Sequence, residues 1–277
     1  MARELSKDKI VERSLITKFR KSIWAPFIHS VKQYELIEKN DKIAVCISGG
    51  KDSFLLAKLM QNLHRFSDIP FELEYIVMDP GYNQLNREKI IQNAKLLNIP
   101  IKIFKTNIFD VANSTPKNPC YLCARMRRGC LYKFAKELGC NKIALGHHLN
   151  DVIETTLIAM FYGAQLQGML PKLNSTNFEG MQLIRPLFRV KEDAIEHWVN
   201  YNNLEFIRCA CRFTEKNNDE DITSKRLEIK NLIKSLKETN DMIEDNIFSA
   251  LHQVNIDTFA GYKTKGEEFT STEKLKK

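Results

Sequence analysis

Val45-Cys46-Ile47-Ser48-Gly49-Gly50-Lys51-Asp52-Ser53 joins an apolar, β-type run to a glycine turn, a lysine and a hydroxyl. Two adjacent glycines let the backbone turn tightly and bring its N–H groups close to an anion. The next run, Phe54-Leu55-Leu56-Ala57-Lys58-Leu59-Met60, has the apolar content of a buried helix whose positive N-terminus would face that anion. The stretch therefore reads as a phosphate cradle between a strand and a helix. It lacks the longer glycine spacing of the Walker A loop and the three-glycine dinucleotide fingerprint, so neither of those readings fits. An ordinary glycine turn is the plainer alternative, and the strand–turn–helix context argues against it.

Outward from this loop the pattern is β/α alternation. Apolar, β-rich runs occur at Lys42 to Ile47, Phe71 to Met78, Ile101 to Lys105, Lys142 to Leu145 and Gln182 to Ile184. Helical patterns fall near residues 53 to 65, 85 to 97, 122 to 138 and 150 to 162. Strands alternating with helices of this length predict an α/β fold, a doubly wound, mostly parallel five-stranded sheet covered on both faces. Residues 6 to 39 read as one or two basic amphipathic helices ahead of it. Two helices follow residue 221, with a break at Asn240. The expected organisation is thus a basic helical segment (1–40), a nucleotide-binding domain (41–221), C-terminal helices (222–255) and a disordered, lysine-rich tail (256–277).

The 277 residues carry 42 Lys and Arg against 34 Asp and Glu, a net charge of +8. That excess suits a polyanionic partner, although a generic solvated basic surface explains it equally well on its own. No apolar run is long enough to cross a bilayer, and the charged N-terminus has no signal-peptide core, so the cytoplasm is the expected compartment.

In a sheet of this kind the ligand sits beyond the carboxyl ends of the strands. The loops there are Ser48 to Ser53, Asp79-Pro80-Gly81-Tyr82, the long segment after Lys105, and Gly146-His147-His148-Leu149-Asn150-Asp151. Asp79 ends the second strand where the adenosine half of a nucleotide would lie, with a turn-forming Asp-Pro-Gly as the equal alternative. Asp151 and Glu154 share one face of the following helix. Arg185 reads as a phosphate ligand or an internal ion-pair partner. Arg125, Arg127 and Arg128 are forked guanidiniums suited to phosphate oxygens, and an RNA or nucleotide contact is preferred over a solvated helix face.

Seven cysteines in a cytosolic chain are more often reduced, metal-bound or catalytic than disulfide-paired. Cys46 lies inside the first strand and Cys140 next to the fourth, and both read as packing, as does Cys130. Cys120-Tyr121-Leu122-Cys123 closes a loop longer than a connection needs, and Cys209-Ala210-Cys211 supplies further thiolates. Spacing alone leaves zinc and an iron–sulfur cluster equally open.

The loop Ser48 to Ser53 resembles that of the PP-loop ATP pyrophosphatases. Together with Pro119 to Gly129, Gly146 to Thr155, Gly168-Met169-Leu170-Pro171-Lys172-Leu173 and Ile184-Arg185-Pro186-Leu187, it resembles the tRNA 2-thiocytidine synthetase (TtcA) family. This resemblance implies ATP-dependent thiolation of a cytidine in the tRNA anticodon loop and a [4Fe–4S] cluster held by three cysteines. Cys120 and Cys123 take the first two positions, and Cys209, preferred over Cys211, the third. Ser48, Gly49, Gly50, Lys51, Asp52 and Ser53 would hold ATP with Mg²⁺, alongside Asp79, Gly146 and Arg185, and Lys51, Asp52 and Asp151 would serve catalysis. Asn150 stands where relatives often carry a second aspartate. The implied partners are tRNA, ATP and a sulfur donor, either a cysteine desulfurase or sulfide, with a homodimer by analogy. Two other readings stay open: the same chemistry on a different tRNA base or a small molecule, and a nucleotide-binding metal or redox sensor without turnover.

Overall fold

A computed structural model describes residues 5–108, 119–207, 220–264 and 266–270. In the helices beginning at Pro119 and Glu220, side chains are described from residues 125 and 225 onward. The chain divides into two compact units, Met1–Arg226 and Leu227–Lys277.

The first unit is built on a six-stranded sheet. Its strands are β1 (Lys42–Ile47), β2 (Glu72–Asp79), β3 (Ile101–Lys105), β4 (Lys142–Ala144), β5 (Lys172–Asn174) and β6 (Gln182–Ile184), in the order β3-β2-β1-β4-β6-β5. Five of them are parallel, and they are the five expected from the sequence. The sixth, β5, runs antiparallel to β6 at the edge, Lys172 opposite Ile184 and Asn174 opposite Gln182. The expected count of five is corrected to six, because three residues containing Lys and Asn carry no apolar run to announce a strand.

The helices of this unit are α1 (Lys7–Ile16), α2 (Ala25–Gln33), α3 (Lys51–Phe66), α4 (Gln84–Leu96), α5 (Pro119–Glu137), α6 (Leu149–Gly163) and α7 (Glu192–Tyr201). Successive side chains of a strand point to opposite faces, and burial follows that period. Ile43, Val45 and Ile47 of β1 enter one core with Tyr75, Val77, Ala144 and Ile184, whereas Ala44 and Cys46 enter a second with Ile76, Ile143, Leu183, Tyr132 and Ala135. Cys140 also lies in the second core, so Cys46 and Cys140 are packing residues as expected. With both faces covered, β1 is apolar almost throughout rather than alternating.

The N-terminal segment is part of this construction. Val11, Leu15, Phe19, Ile23 and Phe27 are all buried to within 2% and belong to the same core as β1 and α3. Glu12 lies 3.8 Å from Lys58, a lysine of α3 that is itself fully buried.

β1 has β2 on one side and β4 on the other, so the chain reverses its direction of travel across the sheet at β1/β4. At such a switch point the loops that leave adjacent strands diverge and open a crevice. The loops concerned are Ser48–Gly50 and Leu145–His148.

The second unit contains the remainder of α8 (Glu220–Thr239), then α9 (Ile243–Ala250) and a hairpin of β7 (Gly261–Thr264) and β8 (Glu267–Thr270). Ile229, Ile233 and Phe248 are buried, and Lys237 pairs with Glu244 at 3.2 Å. The hairpin lies in the stretch expected to be disordered, with Tyr262 stacked on Phe269 at a centroid distance of 5.0 Å.

Candidate active site at the switch point

The crevice is made by backbone meeting backbone. Gly49 has a φ of 95°, a conformation that L side chains rarely adopt, and a Cβ there would fall 2.8 Å from the side chain of Ile90 and against that of Ile207. Gly146 sits across from it. A Cβ on Gly146 would lie 3.1 Å from the Asp52 carbonyl carbon and the Ser53 nitrogen, so the β4 loop can approach the start of α3 this closely only as glycine. Ser53 ties the turn: its Oγ donates to the Gly50 carbonyl at 2.8 Å and accepts from the Ser48 N–H at 3.2 Å. The Tyr82 hydroxyl donates to the Ser48 carbonyl at 3.3 Å and anchors the loop to the end of β2. The outcome is a rigid turn at the N-terminus of the sixteen-residue helix α3, capped by Gly50 with no side chain on its N–H groups. Those N–H groups and the helix dipole form an anion cradle.

Charge is arranged around the cradle by three elements. Lys51 pairs with Asp52 at 3.4 Å and with Glu192, the first residue of α7, at 3.0 Å. Burial by itself would lower the Lys51 pKa, but the carboxylates of Asp52 and Glu192 outweigh it and hold the ammonium above its ordinary value. Asn150 fixes α7 in place, its Oδ1 accepting from the Glu192 N–H at 2.9 Å. His148 caps α6. Its Nδ1 accepts from the Asp151 backbone N–H, while the His148 backbone N–H donates to Asp151 Oδ2 at 3.0 Å. With Nδ1 used as an acceptor, the proton belongs on Nε2, which faces Asp151 at 3.5 Å, Asp52 at 3.9 Å and Glu192 at 4.0 Å. Asp151 and Glu154 both pair with Arg226, Glu154 at 2.7 Å. For Asp151, burial pushes the carboxyl up, but His148 and Arg226 outweigh it and hold it below its usual value. Asp52 Oδ1 is buried and makes no hydrogen bond of good geometry, which suits a cation beside the cradle.

The other expected site residues separate. Asp79 Oδ1 accepts from Gly81 and Tyr82 N–H groups at 3.0 and 2.8 Å, so one oxygen makes the turn, while Oδ2 faces Arg87 at 3.7 Å. Around it is a hollow of about 520 Å³ lined by Tyr82, Arg87, Lys105 and Thr106. Arg185, 6% exposed, donates to the Leu170 carbonyl and leaves Nε without a partner. Burial lowers its pKa to about 10, helped by the charge of Arg128. His147 is held neutral, at about 4, by burial and by Arg185. Cys130 is half-buried among partly covered apolar side chains of the first core, in keeping with a packing role. The Cys120 and Cys123 side chains, and Cys209 and Cys211 entirely, lie outside the described residues, as does most of the loop after Thr106. Glu192 and Arg226 are site residues that sequence reasoning missed; Asn150, marked there only as standing in place of an aspartate, is the anchor of Glu192. Two acidic residues opening an amphipathic run, Glu192 and Asp193 ahead of Ile195 and Trp198, were the available signal for α7.

A glycine cradle at the head of α3, set at the switch point of a 3-2-1-4 sheet, defines a nucleotide-handling PP-loop protein, and a PP-loop domain model matches residues 21–233. The tRNA-cytidine(32) 2-sulfurtransferase of Herminiimonas arsenicoxydans is 34% identical over 250 residues, covering 89% of this chain and 76% of that protein. The enzyme of the same name from Paraburkholderia phytofirmans is 33% identical over 249 residues, covering 86% and 72%. The chain belongs to the tRNA-cytidine(32) 2-sulfurtransferase (TtcA) family of PP-loop proteins. In fold it is similar to the U34-tRNA thiolase NcsA from Methanococcus maripaludis with its [4Fe–4S] cluster, at a TM-score of 0.66 and 20% identity over 92% of this chain and 83% of that one.

Proposed function

We propose that this protein is an ATP-dependent tRNA thiolase that adenylates the C2 oxygen of a cytidine and replaces it with sulfur, cytidine 32 being the position named for its relatives. The observation that carries this reading is the clamped turn Ser48–Ser53: a backbone cradle that Gly146 holds to within van der Waals contact of the β4 loop. Pyrophosphate fits such a cradle, with Lys51 as the neighbouring cation and Asp52 at hand for Mg²⁺. The base oxygen attacks the α-phosphorus and pyrophosphate leaves. A sulfur nucleophile then adds at C2, and AMP departs with the former base oxygen. Preorganised N–H donors stabilise the negative charge that accumulates on the phosphates, the largest contribution such a site makes.

The cysteines fit a cluster by donor chemistry. Cys120 and Cys123 belong to the opening residues of α5, three positions apart. They, with Cys209 or Cys211, would hold a [4Fe–4S] cluster, which when bound supplies an iron site open to a sulfur species. The sulfur comes from a cysteine desulfurase or from sulfide, and the reaction belongs to the cytoplasm. No described helix is long and apolar enough to cross a membrane.

Under anaerobic conditions with sulfide and unmodified tRNA, the purified protein is expected to convert ATP to AMP and pyrophosphate in step with thionucleoside formation. Cys120→Ala is expected to keep ATP binding and lose sulfur incorporation. Full thiolation by Cys120→Ala, or ATP bound but never cleaved, contradicts the proposal.

A further inference from the structure

The hollow at Asp79 lies at β2 and β3, the cradle follows β1, and Gly146 follows β4, all at the carboxyl edge of the sheet. At the β6–β5 end a further cavity of about 620 Å³ opens between α5 and the segment that follows β5; because β5 is antiparallel, with Asn174 opposite Gln182, that segment lies at the amino edge of the parallel strands. Arg125 and Arg128 stand at it, three residues apart and therefore on one face of α5. Tyr132 and Phe178, stacked with centroids 5.2 Å apart, line it, and Asn177 adds an amide.

Arg125 and Arg128 are exposed and have no carboxylate partner among the described residues. Behind them Arg185 is 94% buried, with Nε unpaired and Asp151 the carboxylate whose charge acts on its guanidinium. The Arg128 charge is close enough to oppose that of Arg185. Guanidiniums that repel one another at one end of an aromatic-lined cavity are stabilised by an anion with forked oxygens. Aromatic side chains beside such oxygens are the usual surroundings of a single-stranded nucleotide.

We infer that the cavity between α5 and the segment after β5 is the acceptor-strand site, in which Arg125 and Arg128 take the phosphodiester of an RNA nucleotide and the half-buried Phe178 ring takes its base. This assignment rests on the thiolase reading above.

The test is binding rather than turnover. Fluorescence anisotropy of a labelled, unmodified anticodon stem-loop RNA, titrated with the full chain at several salt concentrations, is compared between wild type and Arg128→Ala, alongside calorimetry with a non-hydrolysable ATP analogue. Arg128 is exposed, so the variant is expected to fold. RNA affinity is expected to fall about tenfold and the slope of log K against log salt to flatten by about one, with the affinity for the ATP analogue unchanged. Arg125→Ala, which removes the neighbouring exposed guanidinium, is expected to weaken RNA binding as well. Unchanged RNA affinity and salt slope in Arg128→Ala overturn the assignment, as does a loss of analogue binding in place of RNA binding, which would make the anion a nucleotide phosphate. Because no turnover is read, a wild-type protein that binds RNA through Arg128 and forms no thionucleoside counts against the thiolase reading while supporting the cavity.

Discussion

Gly146 and Gly50 make opposite demands on the same loop. A methyl at Gly146 must displace the backbone of Asp52 and Ser53, whereas one at Gly50, with φ of −80°, meets nothing nearer than 3.8 Å. Gly146→Ala is therefore expected to cost about tenfold or more in affinity for the ATP analogue, and Gly50→Ala to melt within a few degrees of wild type. Calorimetry and thermal denaturation check the pair. A Gly146→Ala protein with wild-type affinity would show that the clamp does not shape the cradle. His147 gives a pH signature. Its ordinary value of 6.5 is lowered to about 4 in the fold, so the unfolded chain binds the extra proton first and stability is lost as pH falls from about 6.5 toward 4. His147→Gln is expected to flatten that part of the melting-temperature profile, and an unchanged slope contradicts the assignment. At this scale the glycines and Lys51 were legible, because a turn that needs φ above zero and an N-terminal cradle leave a local signature. Glu192, which pairs with Lys51 across 141 positions, and Arg226, which reaches Asp151 and Glu154 from 75 and 72 positions away, leave none.

Among the elements, α1 and α2 deserve a different reading from the basic appendage that their composition suggested. Five of the apolar residues between Val11 and Phe27 are in the main core, and burying each is worth about 1.5–3 kcal/mol. Together they match the whole net stability of a typical domain, about 5–15 kcal/mol. A chain lacking residues 1–40 is therefore expected not to fold, and Phe27→Ala to lose about 3–5 kcal/mol in denaturant titrations. A soluble, cooperatively melting truncation would contradict this packing. The five parallel strands were readable because a strand buried on both faces is an unbroken apolar run, as β1 is. The three-residue edge strand β5 and the hairpin of Gly261–Thr264 with Glu267–Thr270 were not, since both are short and mostly polar. The helix α7 went unread although Ile195 and Trp198 are fully buried on one face, and with it went Glu192.

For the whole molecule, topology does the organising. The reversal of strand order at β1/β4 opens one crevice, and the motifs found at the ends of four separate strands converge on that edge because every parallel strand ends there. Within the excess of positive charge, +8 over the chain, Arg125 and Arg128 of α5 are two exposed cations without a carboxylate partner among the described residues. The central claim is that this site thiolates tRNA. The most direct measurement is mass spectrometry of nucleosides from total tRNA of cells with and without the protein. The account predicts that 2-thiocytidine disappears on deletion and returns with the wild-type chain but not with Cys120→Ala. A thionucleoside profile identical in the two strains would contradict it.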